Sequence, residues 1–176
     1  GKYRYTVKNI QLAFKDLPKA FDGFKIVQIS DIHSGSFDDK EAVRKGIEMV
    51  NAQQPDLLLF TGDLVNSEKD EINPYMDIFS LLEAKHGKYA VLGNHDYYGY
   101  FGVPESGKKA YWDDFMGKFE KMGFRLLNND HTRIEKEGEN FVLAGVENWG
   151  AGRHFPKIGD LNKAIKGVKK DDFTVL

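Results

Sequence analysis

Ile26-Val27-Gln28-Ile29-Ser30-Asp31-Ile32-His33 is the stretch that decides the fold. Its first four residues read as a buried strand. Its end places a carboxylate and an imidazole two residues apart, just past that strand. The arrangement recurs twice. Leu57-Leu58-Leu59-Phe60 runs into Gly62-Asp63-Leu64-Val65-Asn66, and Tyr89-Ala90-Val91-Leu92 runs into Gly93-Asn94-His95-Asp96. In open α/β sheets ligands bind outside the carboxyl ends of the strands. Three such ends loaded with oxygen and nitrogen ligands predict one site assembled from distant parts of the chain. The set supplies most of a two-metal centre for phosphoryl chemistry.

Working outward, the spacing of apolar residues predicts the rest. Tyr3, Tyr5 and Val7 alternate with Arg4, Thr6 and Lys8, a strand pattern that Ile10, Leu12 and Phe14 extend. A helix capped by Asp38 or Asp39 carries Val43, Ile47 and Val50 and ends at Gln54-Pro55. A second helix opens at Asn73-Pro74, with Met76, Phe79 and Leu82 on one face, and Gly87 stops it. Residues 97–107 read as a loop rich in glycine and tyrosine. A third helix carries Trp112, Phe115, Phe119 and Met122. Strands follow near 124–127, 131–136 and 141–146, with a hairpin turn at Glu137-Gly138. A fourth helix has Leu161, Ala164, Ile165 and Val168, and Phe173–Leu176 reads as a last buried strand. The β-α-β-α-β alternation of the first half argues for parallel strands at the centre of a mixed sheet. No repeat or low-complexity segment divides the 176 residues, which are read as one domain, 1–176.

Composition narrows the functional classes. The chain is 41% hydrophobic and 30% charged with a net charge of −2. No basic excess exists to attract polyanions, so no nucleic-acid partner is expected. Cysteine is absent, which removes disulfides, thiolate ligands and thiol nucleophiles together. No apolar run approaches the ~20 residues of a membrane span. The compartment stays open, since a cysteine-free chain suits either redox environment.

The three clusters suit metal chemistry. Asp31 and His33, two apart in extended backbone, would point the same way and reach one ion. A carboxylate beside an imidazole favours zinc, iron or manganese over calcium. Asp63 has two oxygens and can bridge two ions ~3.5–4 Å apart. Asn94 adds a carbonyl oxygen for a second ion. His95 can bind a phosphate oxygen or protonate a leaving group, and Asp96 can hold the His95 ring in the right tautomer. The other histidines read otherwise: His86 as a turn residue, His131 as a surface strand residue, and His154 as a candidate for the wall of a substrate groove. Tyr97, Tyr98, Tyr100 and Phe101 can either stack on a substrate group or cover the core.

The ordered set Asp-x-His, Gly-Asp-x-x-Asn, Gly-Asn-His-Asp resembles the calcineurin-like metallophosphoesterase superfamily, and the likeness extends over essentially the whole chain. By that resemblance Asp31, His33 and Asp63 match ligands of one metal, Asp63 and Asn94 match ligands of a second, and His95 matches the phosphate-contacting histidine. The resemblance implies an α/β (α+β) sandwich of two mixed β-sheets flanked by helices. It implies two divalent ions (Mn, Fe, Zn or Mg) and hydrolysis of a phosphomonoester or phosphodiester by metal-activated water. The family's later lone His and Gly-His-x-His have no counterpart here. The fold is therefore expected to be incomplete at its C-terminal end, with weakened metal binding, impaired turnover and an exposed sheet edge able to pair in a dimer. The chain looks most similar to membrane-anchored bacterial phosphoesterases of the YkuE type. That branch implies a membrane-anchored parent and a lipid or glycolipid phosphoester as substrate. The protein-phosphatase branch fits poorly, because Asn66 is followed by Ser67 and Glu68 rather than by Asp-Arg-Gly. Two other readings compete. Some superfamily members use this fold as a non-catalytic scaffold. A dinucleotide-binding protein would need a glycine fingerprint that Ser30–Gly35 does not supply.

Overall fold

Four short strands at the centre of the molecule pair in chain order. They are β1 (Ile26–Ile29), β2 (Leu57–Phe60), β3 (Lys88–Ala90) and β4 (Phe124–Leu126). The computed structural model describes residues 2–150 and 157–176. All three pairings in this sheet are parallel, with Ile26 opposite Leu57, Leu58 opposite Lys88, and Lys88 opposite Phe124. A second sheet is mixed. β5 (Asp130–Lys136) and β6 (Glu139–Gly145) form an antiparallel hairpin, and β7 (Thr174–Val175) joins β6 in parallel. The architecture is the expected α/β pair of sheets with helices.

Strand alternation explains the layering. On β2, Leu58 and Phe60 face the helices while Leu57 and Leu59 face the second sheet. The helical layer holds α1 (Lys40–Asn51), α2 (Met76–Phe79) and α4 (Glu105–Lys121), which bury Val43, Ile47, Ile78, Phe79, Phe115 and Phe119 against the sheet. Asp39 caps α1 by accepting the Ala42 N–H at 3.0 Å. Between the sheets, the buried Phe21 ring lies edge-on to Phe24 and Phe141 at 5.1 and 4.8 Å, beside Leu57, Leu127, Ile134 and Leu143. The Glu137-Gly138 turn has both residues at positive φ, +53° and +81°, as a tight hairpin with right-handed strand twist requires.

Several segments depart from the sequence expectation. Tyr3–Phe14 pairs with no strand among the described residues. Its alternation marks a face fit for burial, yet Ile10 and Leu12 are 81% and 69% exposed. A strand needs a neighbour's backbone as well as an apolar face, and none lies alongside. Side chains dock the segment instead: the Tyr3 hydroxyl accepts the N–H groups of Asp38 and Asp39, and the Phe14 ring meets Phe173 edge-on at 5.4 Å. The second helix begins earlier and tighter than expected, as a 3-10 turn over Lys69–Tyr75 before α2. Residues 97–107 are mostly helical. A 3-10 turn (His95–Tyr97) leads into α3 (Tyr98–Gly102), and Pro104 separates α3 from α4. The fourth helix shrinks to α5 (Leu161–Ala164), which ends before Gly167 at φ +87°. The closing strand is half-exposed, because β7 is the edge of its sheet.

Candidate metal centre

The loops that leave β1, β2 and β3 stay together after the strands end. Asp31 N–H donates to Gly62 O, His33 N–H to Asp63 O and Ser34 N–H to Leu64 O, each at 3.0 Å. The first two loops are thus zipped side by side. Their backbones are unusual. Asp31, His33 and Asp63 all sit in the left-handed region, at φ +52°, +47° and +60°. Such conformations are uncommon outside glycine, and they gather at ligand sites where the surroundings over-determine them. The extended geometry expected for Asp31 and His33 is therefore corrected: left-handed turns, and not alternation along a strand, set the direction of these side chains.

His33, Asp63 and His95 come together, with one ligand atom from each lying within 4.8 Å of the others. Asp63 is buried, with His33 Nε2 at 3.8 Å from its Oδ2 and the His95 N–H donating to its Oδ1 at 2.9 Å. The His33 and His95 rings meet edge to face, centroids 4.6 Å apart. Two imidazole nitrogens and a carboxylate oxygen form a donor set suited to zinc, iron or manganese. These residues fit an ion. His95 had been expected to face phosphate, and it lies in the same cluster. Its Nδ1 is 2.7 Å from the Asn66 carbonyl, so Nδ1 carries the hydrogen and Nε2 is left to the site. Asn94 donates its amide to the Tyr98 hydroxyl at 2.9 Å, which orients the side chain. Asp31 stands outside the trio. It is exposed and accepts the Ser30 hydroxyl at 2.5 Å. A cavity of about 460 Å³ opens beside Asp31 and His33, walled by Ile29, Val43, Ile47 and Val50.

Asp96 does not hold the His95 ring, which the Asn66 carbonyl does instead. The carboxylate of Asp96 is 1% exposed and accepts backbone N–H groups from Gly93 and Asp63 at 2.9 Å and from Leu64 at 2.8 Å. It staples the second loop to the third. Burial pushes its pKa up to about 6, against the pull of those N–H donors, and the charge of Asp63 adds to the rise. The two loops also touch directly. A Cβ on Gly62 would lie 2.6 Å from the Gly93 Cα, and one on Gly93 would lie 2.7 Å from the Asp63 nitrogen. Glycine in both motifs is thus a matter of space.

Glu71 is a residue the sequence reading missed. Its carboxylate accepts the N–H groups of Asn66, Ser67 and Glu68. The available signal was the Glu68-x-x-Glu71 spacing of a capping box. Of the remaining histidines, His86 packs against the Phe24 ring at 5.3 Å and His131 Nδ1 meets the Ala164 carbonyl at 2.7 Å. His154 lies outside the described residues. Within the aromatic run, Tyr97 is core, stacked on Trp112, while Tyr98 packs on His95 and Phe101 is exposed.

Comparison with known proteins agrees with this geometry. A family model described as calcineurin-like phosphoesterase matches residues 24–172. The chain is 28% identical over 178 residues to a transmembrane protein with metallophosphoesterase domain from Danio rerio, covering 97% of this chain and 38% of that protein. It is 39% identical over 87 residues to the uncharacterized metallophosphoesterase YkuE of Bacillus subtilis, covering 48% of this chain and 30% of that protein. An uncharacterized metallophosphoesterase of Helicobacter pylori strain J99 is 34% identical over 176 residues, with 100% of this chain and 43% of that protein covered. The chain thus spans less than half the length of these relatives.

Proposed function

Because the chain belongs to the calcineurin-like phosphoesterase family, we propose that it carries the metal centre of an enzyme that hydrolyses a phosphomonoester or phosphodiester with water as nucleophile. The observation that carries this reading is the convergence of His33, Asp63 and His95 at the carboxyl ends of parallel strands. Divalent ions bound there would supply Lewis acidity toward the phosphoryl oxygens and a nucleophilic water at neutral pH.

The chain's own residues divide the remaining work. His33 and Asp63 would hold one ion, and Asp63 with Asn94 would serve a second. Tyr98 holds the Asn94 amide nitrogen, which leaves the amide oxygen to serve as the ligand. His95, with Nδ1–H tied to Asn66, presents Nε2 to the phosphoryl group. Asp96 keeps the second and third loops in register by binding their N–H groups. A membrane-anchored parent is supported by the name of the Danio rerio relative. No helix among the described residues is long and apolar enough to cross a membrane.

Calorimetric titration with Mn²⁺, paired with hydrolysis of p-nitrophenyl phosphate and bis(p-nitrophenyl) phosphate, tests the proposal. Weak Mn²⁺ binding and slow Mn²⁺-dependent turnover, both abolished in Asp63→Ala, are expected. The preferred ester distinguishes a monoesterase from a diesterase. Absence of both binding and turnover would favour the scaffold reading instead.

A further inference from the structure

We propose that Glu71 is a positioning residue for His95, acting through the peptide unit between Asn66 and Ser67. The carboxylate accepts the Ser67 N–H of that unit at 3.3 Å and, at 2.5 Å, the Asn66 N–H of the peptide just before it, so both flanks of the Asn66 carbonyl are held. The carbonyl of that same Asn66–Ser67 peptide is the group 2.7 Å from His95 Nδ1. A peptide unit is planar and its N–H and C=O point in opposite directions. Glu71 therefore grips one end of the plane while His95 leans on the other. A charged acceptor on the N–H also makes the carbonyl across the plane a better acceptor, since hydrogen bonds in series polarise one another. The consequence is a His95 ring held in the Nδ1–H tautomer, with Nε2 toward His33 and Asp63.

The first loop joins the same arrangement. A Cβ on Gly35 would lie 2.5 Å from Glu71 Oε2, so only glycine leaves the carboxylate its place. Asn66 Nδ2 donates to Ser36 Oγ at 2.9 Å. Glu71 thus sits where the loops after β1 and β2 meet, and reaches the loop after β3 through one peptide.

Helix capping alone would also place a glutamate here. Glu68 and Glu71 form a reciprocal capping box at the 3-10 turn over Lys69–Tyr75. That role needs only the Glu68 N–H, at 3.2 Å. The grip on Asn66 and Ser67 goes beyond it.

The catalytic meaning of this device rests on the phosphoesterase reading, whereas the tautomer can be read without it. The test is ¹⁵N-resolved NMR of the His95 ring on chelator-treated chain, at a pH where imidazoles are neutral. Wild type, Glu71→Leu, Gly35→Ala and Glu68→Gln are compared. The wild type is expected to show Nδ1–H. Glu71→Leu and Gly35→Ala should shift the ring severalfold toward Nε2–H. Glu68→Gln, which weakens the cap alone, should lower thermal stability and leave the tautomer as it was. Where turnover is measurable, kcat in Glu71→Leu should fall roughly 10- to 100-fold at unchanged KM, the usual loss for groups that orient a functional histidine. A His95 tautomer identical to wild type in both Glu71→Leu and Gly35→Ala overturns the proposal. Gly35→Ala decides it alone if Glu71→Leu does not fold. A shifted tautomer with no Mn²⁺-dependent turnover in any protein leaves Glu71's role standing and removes the phosphoesterase reading.

Discussion

Gly62→Ala is a test of the claim that the second and third loops must touch. Gly62 sits at φ +99° and Gly138 at φ +81°, so alanine at either position meets backbone strain, about 1–2 kcal/mol. Their surroundings differ. A Cβ on Gly138 meets nothing within 4 Å, whereas one on Gly62 would lie 2.6 Å from the Gly93 Cα, in a loop pinned by Asp96. Overpacking of that kind costs about 1–3 kcal/mol. Gly62→Ala should therefore cost about 2–5 kcal/mol and Gly138→Ala about 1–2 kcal/mol. Urea unfolding followed by circular dichroism reads the difference. With a slope of roughly 2 kcal/mol/M, the midpoints of the two variants should separate by about 0.5–1.5 M. Mn²⁺ titration should show weakened binding only for Gly62→Ala, because Asp63 and His95 flank the disturbed contact. Equal midpoints and equal Mn²⁺ affinities for the two variants would refute the reasoning, since strain without crowding would then explain both.

Other perturbations separate the residues around the site. Asp63→Ala should abolish calorimetric Mn²⁺ binding. Asn66→Ala should keep most of it, because the main-chain carbonyl of Asn66 is what contacts His95, and comparable losses in the two would contradict that ranking. Asp96 gives a pH signature in metal-free chain. Its folded pKa of about 6 lies above the usual 3.8, so the folded state binds the proton more tightly than the unfolded one. The resulting stability is present below pH ~4 and is lost as pH rises through 6, up to about 3 kcal/mol. Urea midpoints for wild type and Asp96→Asn should diverge across that window, and parallel curves would show that the carboxyl does not titrate there. Phe21→Ala, which empties the space between the sheets, should cost about 3–5 kcal/mol in the same assay, and a loss under 1 kcal/mol would mean the sheets pack without it.

Much of the metal centre was legible in the sequence. Strand ends were visible at Ile29 and Phe60, and within two residues at Leu92, because an apolar run that stops abruptly at polar residues is a local signal. Asp63, His33 and His95 could be selected because their side-chain chemistry belongs to the residue and not to the fold. Burial within an element was equally readable: Asp39 caps α1 and Phe115 and Phe119 face the core, as spacing implied. The N-terminal alternation misled because periodicity reports a face and says nothing of a partner for the backbone.

The sequence by itself therefore determined which residues could bind an ion, and roughly where strands and helices would deliver them. Only the tertiary structure decided how those side chains are aimed. Left-handed turns at Asp31, His33 and Asp63 depend on hydrogen bonds between loops about thirty residues apart. Asp96 became a staple rather than a partner of His95, and Asn66 and Glu71 took up the ring, because buried N–H and carbonyl groups must all find partners. Which partner each one finds depends on neighbours in space, and the order of residues along the chain does not contain that information.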